Sequence, residues 1–158
     1  MSAQALNPPI VFLIDDNAGD VRLITEAVLA VMPAADVRPV TDSTEAVPRL
    51  KESLAAMAAP NLILLDLRMP KKSGLEVLEE IRRDPEIGYL PVVVLTGSEA
   101  EQDVFRAYAL HANSVVTKPI SYVQLRSAIR TMCEFWLGVA RLPGATYDRC
   151  KRNQDPAD

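Results

Sequence analysis

Cysteine and histidine are almost missing from this chain. Its two cysteines, Cys133 and Cys150, form no C-x-x-C pair, and the only histidine, His111, belongs to no cluster. Zinc and thioredoxin-type redox sites therefore lose to plain reduced thiols. Long apolar runs are missing too. Stretches such as Pro8 to Ile14 and Leu62 to Leu65 fall far short of the roughly 20 apolar residues that cross a bilayer. No transmembrane span and no membrane partner are expected. Met1 to Pro9 lacks a basic n-region and a long apolar h-region, so no secretory signal is read and the cytoplasm is the expected location. Nor is there an excess of basic residues. With 17 Lys and Arg against 21 Asp and Glu, the formal charge is -4, the wrong sign for a nucleic-acid footprint.

What is present is enough for one compact domain with a real core: 158 residues, 49% of them hydrophobic and 24% charged. Short apolar runs alternate with segments of helical period, the signature of an α/β domain with a mainly parallel sheet. The runs are Ile10 to Ile14, Asp36 to Val40, Leu62 to Leu65, Pro91 to Leu95 and Ser114 to Thr117. The first, third and fourth are apolar at nearly every position, as in central strands covered on both faces. Pro39 cannot donate to a ladder, which puts the second strand at an edge. Ser73 with Glu76, Ser98 with Glu101 and Ser121 with Gln124 have the spacing of capping boxes and mark three helix starts. Val104, Ala107, Tyr108 and His111 recur at helical spacing, as do Leu125, Ala128, Ile129 and Met132. On this pattern His111 is a structural helix residue. Pro48 falls inside the helical segment Thr44 to Met57, so that helix should start late or bend. The expected boundaries are an N-terminal extension over 1–8, the domain over 9–142 and a polar tail over 143–158.

The strand ends carry the chemistry. Ile10 to Ile14 delivers Asp15 and Asp16 to the carboxyl edge of the sheet, where adjacent carboxylates repel each other unless a cation joins them. Asp66, after Leu65, should meet them there and complete a cluster suited to Mg²⁺, which takes oxygen ligands. Thr96 and Gly97 end the fourth run, and Lys118 and Pro119 end the fifth. A cation, a hydroxyl and an ammonium around one carboxylate are what phosphoryl transfer to that carboxylate needs.

These residues, in this order and with Asp66 set in LLDLRMP ahead of Gly74, resemble the receiver domain of two-component response regulators over Pro9 to Leu137. The resemblance implies an α/β, flavodoxin-like, doubly wound sheet of five parallel strands in the order 2-1-3-4-5, again with the second strand at an edge. It implies that Asp66 is the phosphoacceptor, that Asp16 and Asp66 bind Mg²⁺ directly with the Arg68 backbone carbonyl, and that Asp15 acts through water. Thr96 and Lys118 would each hold a phosphoryl oxygen, and Gly97 would leave a gap for the donor. The Lys118-Pro119 bond would be cis. One position departs from the pattern: Val115 stands where the family commonly has the aromatic residue of its switch. The donor would be a partner histidine kinase, since His111 is far in sequence from the acidic cluster. The chain would thus be a signalling protein, not an enzyme beyond its own phosphorylation and dephosphorylation.

Glu134-Phe135-Trp136-Leu137, followed by Val139 and Leu142-Pro143, is similar to the ending of small stand-alone response regulators paired with bacterial phytochromes. The resemblance points to a bacteriophytochrome as the kinase. Phe135, Trp136, Leu137, Val139 and Leu142 are also more apolar surface than one domain edge buries, and they are expected to form a homodimer interface. Two alternatives have a different chemistry. A pseudo-receiver would bind partners without phosphorylation. A phosphatase like the haloacid dehalogenases would need a second acid two residues after Asp66, where Arg68 stands.

Overall fold

The structure is a computed structural model that describes residues 7–143. The polar tail beyond Pro143, with Cys150, lies outside the described residues, as does most of the N-terminal extension. Five strands, β1 (Ile10–Ile14), β2 (Asp36–Val40), β3 (Leu62–Leu65), β4 (Val92–Thr96) and β5 (Ser114–Thr117), form one parallel sheet in the order β2-β1-β3-β4-β5. Five helices connect and extend them: α1 (Ala18–Val31), α2 (Ala46–Ala55), α3 (Gly74–Arg83), α4 (Glu101–Ala109) and α5 (Tyr122–Glu134). This is the flavodoxin-like fold that the resemblance implied, with the Pro39 strand at an edge.

The continuous apolar runs are explained by two cores, one on each face. Phe12 and Ile14 of β1 pack with Ile63 and Leu65 of β3 under α2, α3 and α4. Val11 and Leu13 pack with Leu62 and Leu64 under α1 and α5. Successive side chains point to opposite faces, so a strand covered on both needs an apolar residue at every position. Each fully buried Leu, Ile or Val contributes about 1.5–3 kcal/mol relative to exposure.

The helix ends follow the caps in part. Ser73 and Glu76 form the full capping box of α3. Ser121 caps α5 through its hydroxyl, which accepts the Gln124 N–H. Ser98, expected to cap α4, does not: the helix starts after Ala100 without a side-chain cap. Ser98 stands two residues ahead of the N-cap position, so its hydroxyl accepts the Ala100 N–H at 3.4 Å in the turn before the helix and donates to Asp103 Oδ2 at 2.6 Å. α2 starts late, after a 3-10 turn over Ser43–Glu45, and Pro48 sits in its first turn, where no intrahelical N–H is needed. His111 is not on a helix. It lies past the end of α4 with φ 65°, in the left-handed region that stops a helix. Its carbonyl accepts the Arg82 Nε–H at 2.9 Å.

Beyond α5 the chain makes a π-helical turn over Phe135–Val139. Trp136 and Leu137 pack against the core under α1 and α5, while Phe135 is 49% and Val139 78% exposed. Cys133 is buried among the same residues, and burial pushes its thiol up to about 11. Among the described residues, no helix is long and apolar enough to cross a membrane.

Candidate functional site

Parallel pairing aligns the strand ends. Ile14 is in register with Leu65, and Thr96 with Thr117, so the residues that follow gather at one edge. Asp66 N–H donates to the Ile14 carbonyl at 3.0 Å, and Lys118 N–H donates to the Thr96 carbonyl at 2.7 Å. These bonds fix the backbone beneath Asp15, Asp66 and Lys118.

Asp15, Asp20 and Asp66 surround the ammonium of Lys118, and Asp16 lines the same cleft. Lys118 Nζ lies 2.6 Å from Asp15 Oδ2, 2.9 Å from Asp20 Oδ2 and 3.3 Å from Asp66 Oδ2. Asp15 is buried, and burial raises its carboxyl above the ordinary value even though Lys118 and the Asn17 N–H act to lower it. Burial alone would lower the Lys118 ammonium. Its bonds to Asp15 and Asp20 outweigh that and hold it above the ordinary lysine range. Asp16 is exposed at the mouth.

Oxygen atoms of Asp15, Asp16 and Asp66 all lie within 4.8 Å of one another. Carboxylate oxygens at that spacing, with more negative charge than Lys118 can balance, fit a hard divalent cation. Thr96 is fully buried, and its Oγ accepts the Ser98 N–H at 3.2 Å. A Cβ placed on Gly97 would meet nothing within 4 Å, so the cleft is open above Thr96. The cleft holds about 290 Å³ and brings together Asp16, Asn17, Asp20, Asp66, Arg68, Thr96, Gly97 and Lys118. A larger groove of about 630 Å³ lies between β2 and α2. Its two arginines are already paired, Arg38 with Asp36 and Arg49 with Glu45.

Arg68 lines the cleft, but its guanidinium turns outward. Nη2 donates to Ser98 Oγ at 3.3 Å and lies 3.9 Å from Asp103 Oδ2, which ties the loop after Asp66 to the first turn of α4. The peptide bond before Pro119, expected cis, is trans. The trans form is intrinsically preferred by about 0.5–1 kcal/mol, and in it Lys118 already reaches all three carboxylates. Val115 donates its N–H to the Tyr108 hydroxyl at 3.1 Å, so an aromatic residue of α4 serves the edge strand at the position where the family's own aromatic is lacking. Two site residues escape the strand-end pattern, Asn17 and Asp20. Asn17 caps α1 by accepting the N–H of Asp20, three residues on, a spacing that marks a helix start but not a place in the site.

The response regulator receiver domain family matches residues 11–130. This chain belongs to that family. Response regulator Rcp1 of Synechocystis sp. is 37% identical to this receiver over 157 residues, or 92% of this chain and 100% of that protein. Two solved structures resemble it closely. The phosphorylated cyanobacterial phytochrome response regulator RcpA has a TM-score of 0.81 at 42% identity, over 87% of this receiver and 99% of that chain. The Mn²⁺-bound form of Rcp1 has a TM-score of 0.78 at 36% identity, over 87% and 100%. The receiver is thus a two-component signalling protein similar along nearly its whole length to phytochrome-associated response regulators.

Proposed function

We propose that Asp66 accepts a phosphoryl group from the phosphohistidine of a partner kinase, and that this kinase is a bacteriophytochrome. The placement of Asp66 carries the proposal: its carboxylate lies 3.3 Å from the Lys118 ammonium, in a cleft shared with Thr96 and open above it. An Asp66 oxygen forms the new bond to phosphorus as the bond from phosphorus to the donor imidazole breaks. Lys118 pairs with one phosphoryl oxygen, and the Thr96 hydroxyl donates to another. Asp15, Asp16, Asp66 and the Arg68 carbonyl would hold Mg²⁺, which when bound neutralises charge on the transferred group. The likeness to RcpA and Rcp1 supports the choice of kinase, and a regulator fed in this way works in the cytoplasm. A pseudo-receiver would lack the reaction altogether.

Acetyl phosphate should label the protein in a Mg²⁺-dependent way, and the label should be released by hydroxylamine. A label that is acid-stable and hydroxylamine-resistant would overturn an aspartyl phosphate. Phosphotransfer from purified kinases then tests the partner: the phytochrome kinase should be the fastest donor, and slower transfer from it than from unrelated kinases would reject it.

Mg²⁺ should raise the melting temperature, because it relieves repulsion among Asp15, Asp16 and Asp66. In Asp16→Ala the rise should be small. An equal rise in both proteins would mean that the cation binds elsewhere. Arg68 should lengthen the life of the acyl phosphate, since its side chain bridges the rim of the cleft to Ser98 and Asp103. Arg68→Ala should shorten the phosphoryl half-life by roughly threefold, the scale of one exposed polar contact; an unchanged half-life would remove Arg68 from the account.

A homodimer on α5 and the turn after it completes the proposal. Because Trp136 and Leu137 lie against the domain's own core, the contact centres on Phe135 and Val139, with Leu142 at its border. Sedimentation at micromolar concentration should find a dimeric wild type and a monomeric Phe135→Ala/Val139→Ala variant. A monomeric wild type, or a variant that stays dimeric, would sink this interface.

A further inference from the structure

Four hydrogen bonds close a ring at the mouth of the site. The Asn17 N–H donates to Asp15 Oδ1 at 2.9 Å, and the Asp20 N–H donates to Asn17 Oδ1 at 2.9 Å. Lys118 Nζ then donates to Asp20 Oδ2 at 2.9 Å and to Asp15 Oδ2 at 2.6 Å. The remaining ammonium hydrogen faces Asp66 Oδ2 at 3.3 Å, the longest of the three contacts. An ammonium has three donors and no acceptor, so this set uses it fully.

Asp20 differs from the other two carboxylates in where it stands. The side chains of Asp15 and Asp66 are 1% and 10% exposed, whereas that of Asp20 is 40% exposed. It pulls the ammonium toward the open side of the cleft, the side from which a phosphoryl group must arrive. Its own place is set at no extra cost in order, because the Asn17 cap that starts α1 also anchors the backbone of Asp20.

We propose that Asp20 is a positioning residue for phosphoryl transfer, acting through Lys118. The inference rests on Asp66 as the phosphoacceptor and adds a residue to that site. Without Asp20 the ammonium has only the two deeper carboxylates left and closes on Asp66. The oxygen that attacks phosphorus is then tied up in an ion pair. The positive charge also sits too deep to meet the oxygens of the transferred group, which is where electrostatic stabilisation must be placed in advance.

The test is a double-mutant cycle on the rate of phosphorylation by acetyl phosphate at saturating Mg²⁺. Asp20→Ala should be about tenfold slower than the wild type, the effect of one charge-assisted hydrogen bond in a half-open site. Asp20→Glu should recover most of the rate. In a Lys118→Met background, Asp20→Ala should change the rate by less than about twofold, since no ammonium is left to position. Asp20→Asn keeps the shape and an acceptor, and should fall between Asp20→Ala and the wild type.

An Asp20→Ala rate equal to or above the wild type overturns the proposal. So does an equal loss in both backgrounds, which would place the effect of Asp20 on the cation or the helix. A wild type that takes up no label overturns the phosphoacceptor assignment and this inference with it, whereas a labelled wild type beside an unaffected Asp20→Ala overturns the inference alone.

Discussion

The Asp66→Asn variant is expected to take up no detectable phosphoryl group from acetyl phosphate or from a kinase. The substitution keeps the shape of the side chain but replaces an anionic oxygen with that of a neutral amide, which is a far weaker nucleophile. No neighbour can take over. Both oxygens of Asp15 are engaged, one by the Asn17 N–H and the other by Lys118. Asp16 is exposed, and nothing places the Lys118 ammonium against it as it is placed against Asp66. Folding should not suffer. Asp66 is one of three carboxylates crowded within 4.8 Å, so its neutralisation removes repulsion, and the variant should melt no lower than the wild type without Mg²⁺. Intact-mass measurement after reaction with acetyl phosphate checks the first outcome and thermal melting checks the second. A label on Asp66→Asn would move the phosphoacceptor to another residue.

The parts of this site that sequence reading finds are those where a buried strand stops. Ile14, Leu65, Leu95 and Val116 lie in strands whose apolar runs end in polar residues, and parallel pairing in register makes those ends meet. The acidic cluster follows from that, whereas the strand order is implied by the resemblance to receiver domains and only the edge place of β2 is read from Pro39. What stays hidden depends on partners distant in sequence or on the residue at which a helix starts or stops. Asp20 meets Lys118 across 98 positions, and nothing local distinguishes it from an ordinary acidic residue in a first helical turn. Ser98 has the spacing of a cap, yet α4 starts two residues later, after Ala100, and the Ser98 hydroxyl holds the turn before it. His111 fits the stripe of α4, but its backbone is the turn that ends the helix. Arg82 carries no signal at all. Its guanidinium donates to the carbonyls of Gly88, Leu90 and His111 and to Asn113 Oδ1, joining the end of α3 to the loops on either side of β4 and α4.

Gly74→Ala is expected to cost about 3 kcal/mol of stability, at the upper end of what overpacking does. Gly74 is the first residue of α3, and its φ is not positive. The need for glycine is therefore a need for space. A Cβ there would stand 2.0 Å from the Asp66 carbonyl oxygen, 2.6 Å from Leu67 Cα and 2.8 Å from the Asp66 carbonyl carbon. All three are backbone atoms and none can swing aside. Asp66 is tied to Ile14, and the Leu67 carbonyl accepts the Gly74 N–H at 2.8 Å. Either α3 retreats and gives up that bond, or the backbone that aims Asp66 shifts. Helix propensity works the other way, since Ala is preferred to Gly by about 1 kcal/mol in a helix interior, but a contact of 2.0 Å between heavy atoms outweighs it. Gly138 supplies the control. A Cβ there meets nothing within 4 Å, and Gly138→Ala should stay within about 0.5 kcal/mol of the wild type, as surface substitutions usually do. Because the strain falls on Asp66 itself, Gly74→Ala should also be phosphorylated more slowly than Gly138→Ala under conditions where both are folded. Urea denaturation and acetyl phosphate labelling of the two variants decide the matter: a Gly74→Ala protein as stable and as readily labelled as the wild type would mean that α3 moves away freely, and that its start does not hold the phosphoacceptor in place.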